Sequence, residues 1–278
     1  MRQRRDEGAA AGALSLMFEL AWRGGATAAR LHDRRPGIDE LPWGTLALDR
    51  YPIEHAIEAR QIWSNGVFTE YASAAAFSAL SSAMLACGAP VDLIAACADI
   101  VVDELFHVEL SSRLTMELGG AVPIEFDLAQ IAPVTTPGCR PILRAAEIAI
   151  TTSCVGESLS VPALARSRTL ATEPLVRAVL DRLLADEGPH ARLGFWFFEW
   201  ADAELTDDER AQLGRLARTT IDAYAPLWRD AACASCPLPA GLGGHDEVGK
   251  RALRDAVERA IVTPLGRLGI AVGQADPA

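Results

Sequence analysis

Four glutamates set in apolar surroundings constrain the fold of this chain more than any other feature. Glu70 lies in VFTEYASAAAF, Glu104 in DELFH, Glu157 in TTSCVGESLSV and Glu187 in DEGPH. Each stretch belongs to a long helical pattern. The first pattern runs from about Pro52 to Leu85 and the second from Pro90, a good first-turn residue, to Leu118. Cys87-Gly88-Ala89 breaks between them, so the two form a helical hairpin. The third runs from about Ile142 to Arg166, and Thr172-Glu173-Pro174 opens the fourth, which reaches Phe198 or beyond. A turn-rich crossover, GGAVPIEFDLAQIAPVTTPGCRP, separates the hairpins and is too long for a simple turn.

The spacing puts these carboxylates at one depth. Glu70 and Glu104 have their midpoint at Cys87, inside the expected turn, and Glu157 and Glu187 have theirs at Thr172. At about 1.5 Å per residue each pair lies roughly 20–25 Å from its turn, in the middle of the helices. Glu104 and Glu187 are each followed three residues later by a histidine, His107 and His190, on the same helix face. Packing the hairpins together therefore predicts one layer of four carboxylates and two imidazoles. An apolar interior does not accept that cluster without cations to neutralise it.

The order Glu, Glu-x-x-His, Glu, Glu-x-x-His resembles the ferritin-like di-iron carboxylate proteins, in which two helices each give one glutamate and two give Glu-x-x-His. All six positions match, over about residues 52–200. The resemblance implies an all-α, ferritin-like four-helix bundle with a long crossover. It implies two iron ions bridged by Glu104 and Glu187, with Glu70 and His107 on one and Glu157 and His190 on the other. Hard carboxylates and imidazoles suit iron without excluding manganese. Further implications are dioxygen as co-substrate, a small-molecule substrate, an electron donor, and a monomer or homodimer. The leading expectation is a non-haem di-iron oxidase or oxygenase. Iron handling by a ferroxidase, catalase-like manganese chemistry and a purely structural metal site are the competing classes. Arylamine N-oxygenases of this superfamily carry a third histidine one turn before the last motif, where this chain has Leu183.

Residues beside the ligands refine the expectation. Both motifs extend to Asp-Glu-x-x-His, and Asp103 and Asp186 are expected to accept the second N–H of a metal-bound histidine. Similar aspartates occur in the oxygen-activating relatives. Helical spacing puts Ser73 near Glu70, and Ser153, Cys154 and Ser160 near Glu157, where small side chains leave room for a substrate. Gly188-Pro189 falls inside the last motif. A proline there removes a helix bond and frees the carbonyl of Ala185, so a kink or π-type bulge is expected to swing His190 relative to Glu187. Tyr71 follows Glu70 directly and invites a radical role, but neighbours on a helix point about 100° apart, so it is read as a core residue or as one standing behind the ligands.

The rest of the chain sets outer limits. A chain of 278 residues, half of them hydrophobic, can bury a large core. Its net charge of -11 argues against nucleic acid or an anionic membrane as partner. No signal pattern or run of eighteen apolar residues is found, which leads to a cytoplasmic expectation. Residues 1–51 are expected to form an N-terminal helix interrupted by Gly24 and Gly25, then a linker. Residues 52–205 form the bundle, and 206–278 a helical extension opened by a capping box at Thr206 and Glu209. Ferritin is shorter, and these additions are expected to cover a pocket. Cys87, Cys97, Cys139 and Cys154 are read as structural thiols. Cys233 and Cys236 form a C-x-x-C without a second pair, so no role is assigned to them. The tail GQADPA is read as disordered.

Overall fold

The structure, a computed structural model, describes residues 16–127, 130–229 and 239–273. The described residues are mostly helical. Helix α1 spans Ala26–Arg34, α2 Ile53–Cys87 and α3 Val91–Glu117. Gly88 ends α2 in the left-handed conformation at φ 71°, and the amides of Gly88 and Ala89 bond back to Leu85 and Met84. This cap turns the chain within three residues, and α2 and α3 pack along each other. The crossover then leads into one long helical rod made of α4 (Pro141–Ala149), a π-helical segment (Ile150–Glu157) and α5 (Ser158–Leu170). Helix α6 follows as Pro174–Ala201, with Pro174 at its first turn, and α7 as Asp207–Tyr224 with the expected Thr206–Glu209 capping box. Helices α8 (Pro226–Arg229), α9 (Glu247–Ala256) and α10 (Thr263–Arg267) follow, with a second π segment, Val257–Val262, between the last two.

The apolar interior divides into two clusters. One gathers Phe77, Leu80, Met84, Ile100, Ile148, Cys154 and Phe197, towards the α2–α3 turn. The other gathers Trp63, Phe106, Leu110, Leu114, Leu175 and Leu180, towards the α5–α6 turn. On α2, α3 and α6 the segment between the two clusters carries Glu70, Glu104 and Glu187 respectively. The π segment ends on Glu157 and packs against α6 and α7, while α3 also meets α6.

Two expectations about distortion are corrected. Helix α6 runs unbroken through Gly188 and Pro189, with no π-type bulge there. Pro189 and Ala185 lie on the exposed side of the helix, so the carbonyl freed by the proline faces water and needs no rearrangement. The π geometry belongs instead to the facing rod, over Ile150–Glu157. There the Ser153 hydroxyl donates to the His190 carbonyl at 2.6 Å and accepts from the Gly194 amide at 2.7 Å. It thus braces two groups one turn apart on α6. Among the described residues the N-terminal helix comes after Gly24 and Gly25, not around them, and residues 1–15 of the expected helix lie outside the described residues. Before Gly24, Leu16–Met17 (β1) pairs antiparallel with Glu125–Phe126 (β2) in a two-residue ribbon.

Other polar groups pin the covers to the core. Buried Glu147 on α4 accepts from the Thr136 amide at 2.8 Å and hydroxyl at 2.6 Å, and from Gln212 of α7 at 2.6 Å. By length and composition the rod Pro141–Leu170 would suffice to cross a membrane, an 18-residue window of it having mean hydropathy 1.3. Half of that window is buried within the protein, as in a core helix. Cys97 and Cys154 are buried free thiols, and Cys87 and Cys139 are half-buried ones. Cys233, Cys236 and residues 274–278 of the tail lie outside the described residues.

Close approach of α6 to the π segment depends on Gly194. A Cβ there would lie 2.6 Å from Cys154 Sγ and 3.0 Å from Ser153 Cβ. Gly194→Ala is therefore expected to destabilise the fold by about 1–3 kcal/mol, as overpacking does. Adding Cys154→Ala should recover part of that loss. Denaturant unfolding of the two variants measures both effects, and an unchanged midpoint for Gly194→Ala would contradict the tight contact.

Candidate metal centre

The layer between the two apolar clusters is built by four segments, and each contributes the residue expected of it. α2 brings Glu70, α3 Glu104 and His107, the π segment Glu157, and α6 Glu187 and His190. His107 and His190 are fully buried, as is Glu104, and Glu187 is nearly so. Glu70 retains the most exposure of the four carboxylates, 17% of its side chain. The two rings lie 5.7 Å apart, and Phe77 closes over His190 at 5.9 Å.

Both imidazoles turn Nδ1 into the layer. His107 Nδ1 lies 3.6 Å from Glu70 Oε2, 3.8 Å from Glu104 Oε2 and 3.7 Å from Glu187 Oε1. His190 Nδ1 lies 3.0 Å from Glu104 Oε1 and 3.8 Å from Glu187 Oε2. Glu104 and Glu187 thus each direct one oxygen towards His107 and the other towards His190. Three overlapping groups have candidate ligand atoms within 4.8 Å of one another. They are Glu104 with both histidines, Glu70 with His107 and Glu187, and Glu157 with Glu187 and His190.

Several of these atoms are buried and have no hydrogen-bond partner: both Glu104 oxygens, Glu187 Oε2, His107 Nδ1 and His190 Nδ1. Buried polar atoms left unpaired cost about 1–3 kcal/mol each, so a cluster of them facing inward fits a cation-binding layer. The donor set is hard oxygen plus imidazole nitrogen, suited to iron or manganese and equally open to other divalent ions.

The second ring nitrogens face outward to the aspartates, and they do so crosswise. His107 Nε2 donates to Asp186 at 3.2 Å, and His190 Nε2 to Asp103 at 3.3 Å. Each aspartate opens its own helix's motif yet serves the histidine of the other helix. An ionised carboxylate only accepts, so Nε2 carries the proton and the Nδ1 lone pair is left for a cation. Burial raises the pKa of both aspartates, but hydrogen bonds from the histidines and from arginines outweigh it and hold both below the usual range. Asp186 takes Arg182 from one turn back, at 2.6 Å, and Asp103 takes Arg35.

Without cations the layer is held by protons. Burial, together with Glu157, Glu70 and each other's charge, pushes Glu104 well above the ordinary carboxylate range, and burial and Glu157 do the same to Glu187. Burial alone would lower His107, but Asp186 and Glu70 push it up to about 10. Burial raises Glu70, yet the facing His107 draws it below its ordinary value.

The small residues near Glu157 do not all open space. Ser73 donates to Glu157 Oε1 at 3.2 Å and so orients that carboxylate. Cys154 packs against Gly194, and burial raises its thiol pKa strongly. Tyr71 meets Phe18 edge-on at 5.3 Å. Sequence reasoning placed Ser153 near Glu157 but not its bonds to α6, and it missed Arg35, Arg182 and Tyr224, whose hydroxyl reaches Gly156 beside Glu157. Only Arg182 left a signal, its four-residue spacing from Asp186.

No protein-family model matches this sequence, and a search of curated proteins finds no relative.

Cation binding must displace protons from this layer. Below about pH 10 the His107 Nδ1 that faces Glu70 is protonated, and the upward shifts of Glu104 and Glu187 favour their protonated forms. Affinity for a divalent ion is therefore expected to rise with pH through neutrality, by about tenfold per pH unit for each proton displaced. It should fall as pH drops. Calorimetry in buffers of different ionisation enthalpy counts the released protons, and a count of zero would show the imidazole already free.

Proposed function

We propose that the protein is a ferritin-like di-iron oxidase or oxygenase that activates dioxygen to oxidise a small organic molecule. One observation carries this reading. The two buried histidines and four glutamates form a layer in which Glu104 and Glu187 each offer one oxygen to either half. In the proposed arrangement Glu70, His107, Glu104 and Glu187 hold one iron, and Glu157, His190, Glu104 and Glu187 hold the other. The four helical segments bearing them are read as the four-helix bundle of the ferritin-like proteins. When bound, two ferrous ions supply the electrons that reduce dioxygen.

The residues of the chain have separate tasks. Asp103 and Asp186 fix the tautomer and tilt of the imidazoles and increase their basicity. Ser73 fixes one oxygen of Glu157. Phe77 and Phe106, both fully buried, keep water from the layer on either side, and Arg182 stacks on Phe106 at 5.0 Å. Glu70, the least buried carboxylate, marks the side from which small reactants reach the layer and is the one best placed to pass a proton outward. Helix α7, outside the four ligand-bearing segments, covers the π segment and brings Tyr224 to it.

The test is anaerobic loading with ferrous iron, then exposure to dioxygen with optical and Mössbauer detection. The expected result is two irons per chain, both oxidised, in a monomer or homodimer. Less than one bound ion at saturating ferrous iron would overturn the reading. Oxidation of many irons per chain in a large cage would point to iron handling, and a loaded site that does not consume dioxygen to a structural metal. Asp103→Asn is expected to keep both irons and slow the dioxygen reaction by about 10- to 100-fold, the range for partners of metal-bound histidines. An unchanged rate would remove Asp103 from the proposed mechanism.

A further inference from the structure

The two histidines are supported by matching chains of partners with different origins. His107 is held by Asp186, and Asp186 by Arg182, one turn away on α6. Its Asp186–Arg182 pair is local to α6, and the arm is complete once α6 packs on α3. His190 is held by Asp103, and Asp103 by Arg35, which ends the N-terminal helix α1. Arg35 also pairs with the Asp99 carboxylate at 2.9 Å and bonds its carbonyl at 3.1 Å, so its guanidinium grips one turn of α3. That arm exists only when α1 lies on α3.

The contact that brings α1 there is mainly polar. None of its residues is fully buried. His32 bonds Glu109 of α3 at 3.0 Å, two turns further along from Arg35. The following segment is anchored differently, by buried Ile38, by Arg113 paired with Asp39 at 3.2 Å, and by Arg113 stacked on Trp43 at 5.1 Å. Residues after Ile38 thus fasten the chain to α3, and α1 lays Arg35 across Asp103.

We infer that Arg35 is a positioning residue for the His190 half of the centre, which makes α1 part of the metal site and sets that half apart from the His107 half. This rests on the metal-binding part of the function proposed above and not on its oxidase part. The Arg35 guanidinium donates its Nε–H to Asp103 while Nη2 holds Asp99, so the planar fork fixes the angle of the Asp103 carboxylate, which passes that restraint to the imidazole. Losing Arg35 leaves Asp103 free to turn away, while Asp186 keeps its own arginine.

The test compares Arg35→Gln, Arg35→Lys and Arg182→Gln in the full chain, with two readouts. In the metal-free protein, nitrogen NMR of labelled histidines is expected to show the His190 signals shifted in Arg35→Gln with those of His107 unmoved, and the reverse in Arg182→Gln. Unmoved His190 signals in Arg35→Gln, or equal movement of both rings, would overturn the inference. In the second readout manganese(II) is titrated into each protein and followed by electron paramagnetic resonance. The parent is expected to take two ions. Arg35→Gln should weaken one of them by about 10- to 100-fold and leave the other within about twofold, with Arg35→Lys intermediate because an ammonium restores charge without the fork. Equal weakening of both ions, or of neither, overturns the inference. A parent that takes up no manganese or iron overturns the proposed metal function, and the imidazole signals still decide the role of Arg35.

Discussion

The architecture depends on offsetting the charge of one buried layer. Four carboxylates and two imidazoles separate an apolar cluster around Phe77 and Phe197 from another around Phe106 and Leu110. Carboxylates taken from water cost several kcal/mol each unless paired. The surroundings supply that pairing inward through shared protons or cations, and outward through Asp103, Asp186 and the arginines behind them. Helix spacing, the crossing of the aspartates and the close approach at Gly194 all keep those partners within reach.

The crosswise pairing ties the hairpins together at the point where their charges would push them apart. Asp103 reaches from α3 to His190 on α6, and Asp186 reaches back from α6 to His107 on α3. Moving α3 relative to α6 would break both bonds at once. The π segment adds a third tie, because Ser153 engages the His190 carbonyl and Gly194 amide while Glu157, four residues on, enters the layer. Widening the turn there changes the direction in which Glu157 leaves its helix.

Legibility differed between parts of the chain for physical reasons. Hairpin turns are local, so Gly88 and Pro174 could be read directly, and the midpoints of the glutamate pairs fell on those turns. The six layer residues were legible because each is a polar group in an apolar pattern. Distortions were less so. Pro189 is the conspicuous helix breaker, yet α6 runs through it because the freed carbonyl faces solvent. The π geometry lies on the partner rod, where Thr151, Ser153 and Gly156 give no comparable warning. The N-terminal helix was misplaced because a glycine pair reads equally well as an interruption or as a beginning.

By itself the sequence determined the all-helical class, the order of the helices and the six residues of the layer, because periodicity and spacing along a helix are local properties. Tertiary structure decided which aspartate serves which histidine, that both Nδ1 atoms face inward, and that Arg35, 68 residues before its partner, stands behind Asp103. Those pairings join segments whose separation along the chain carries no information about their distance in space. Only the packing of α1 and α6 against α3 brings them within hydrogen-bonding range.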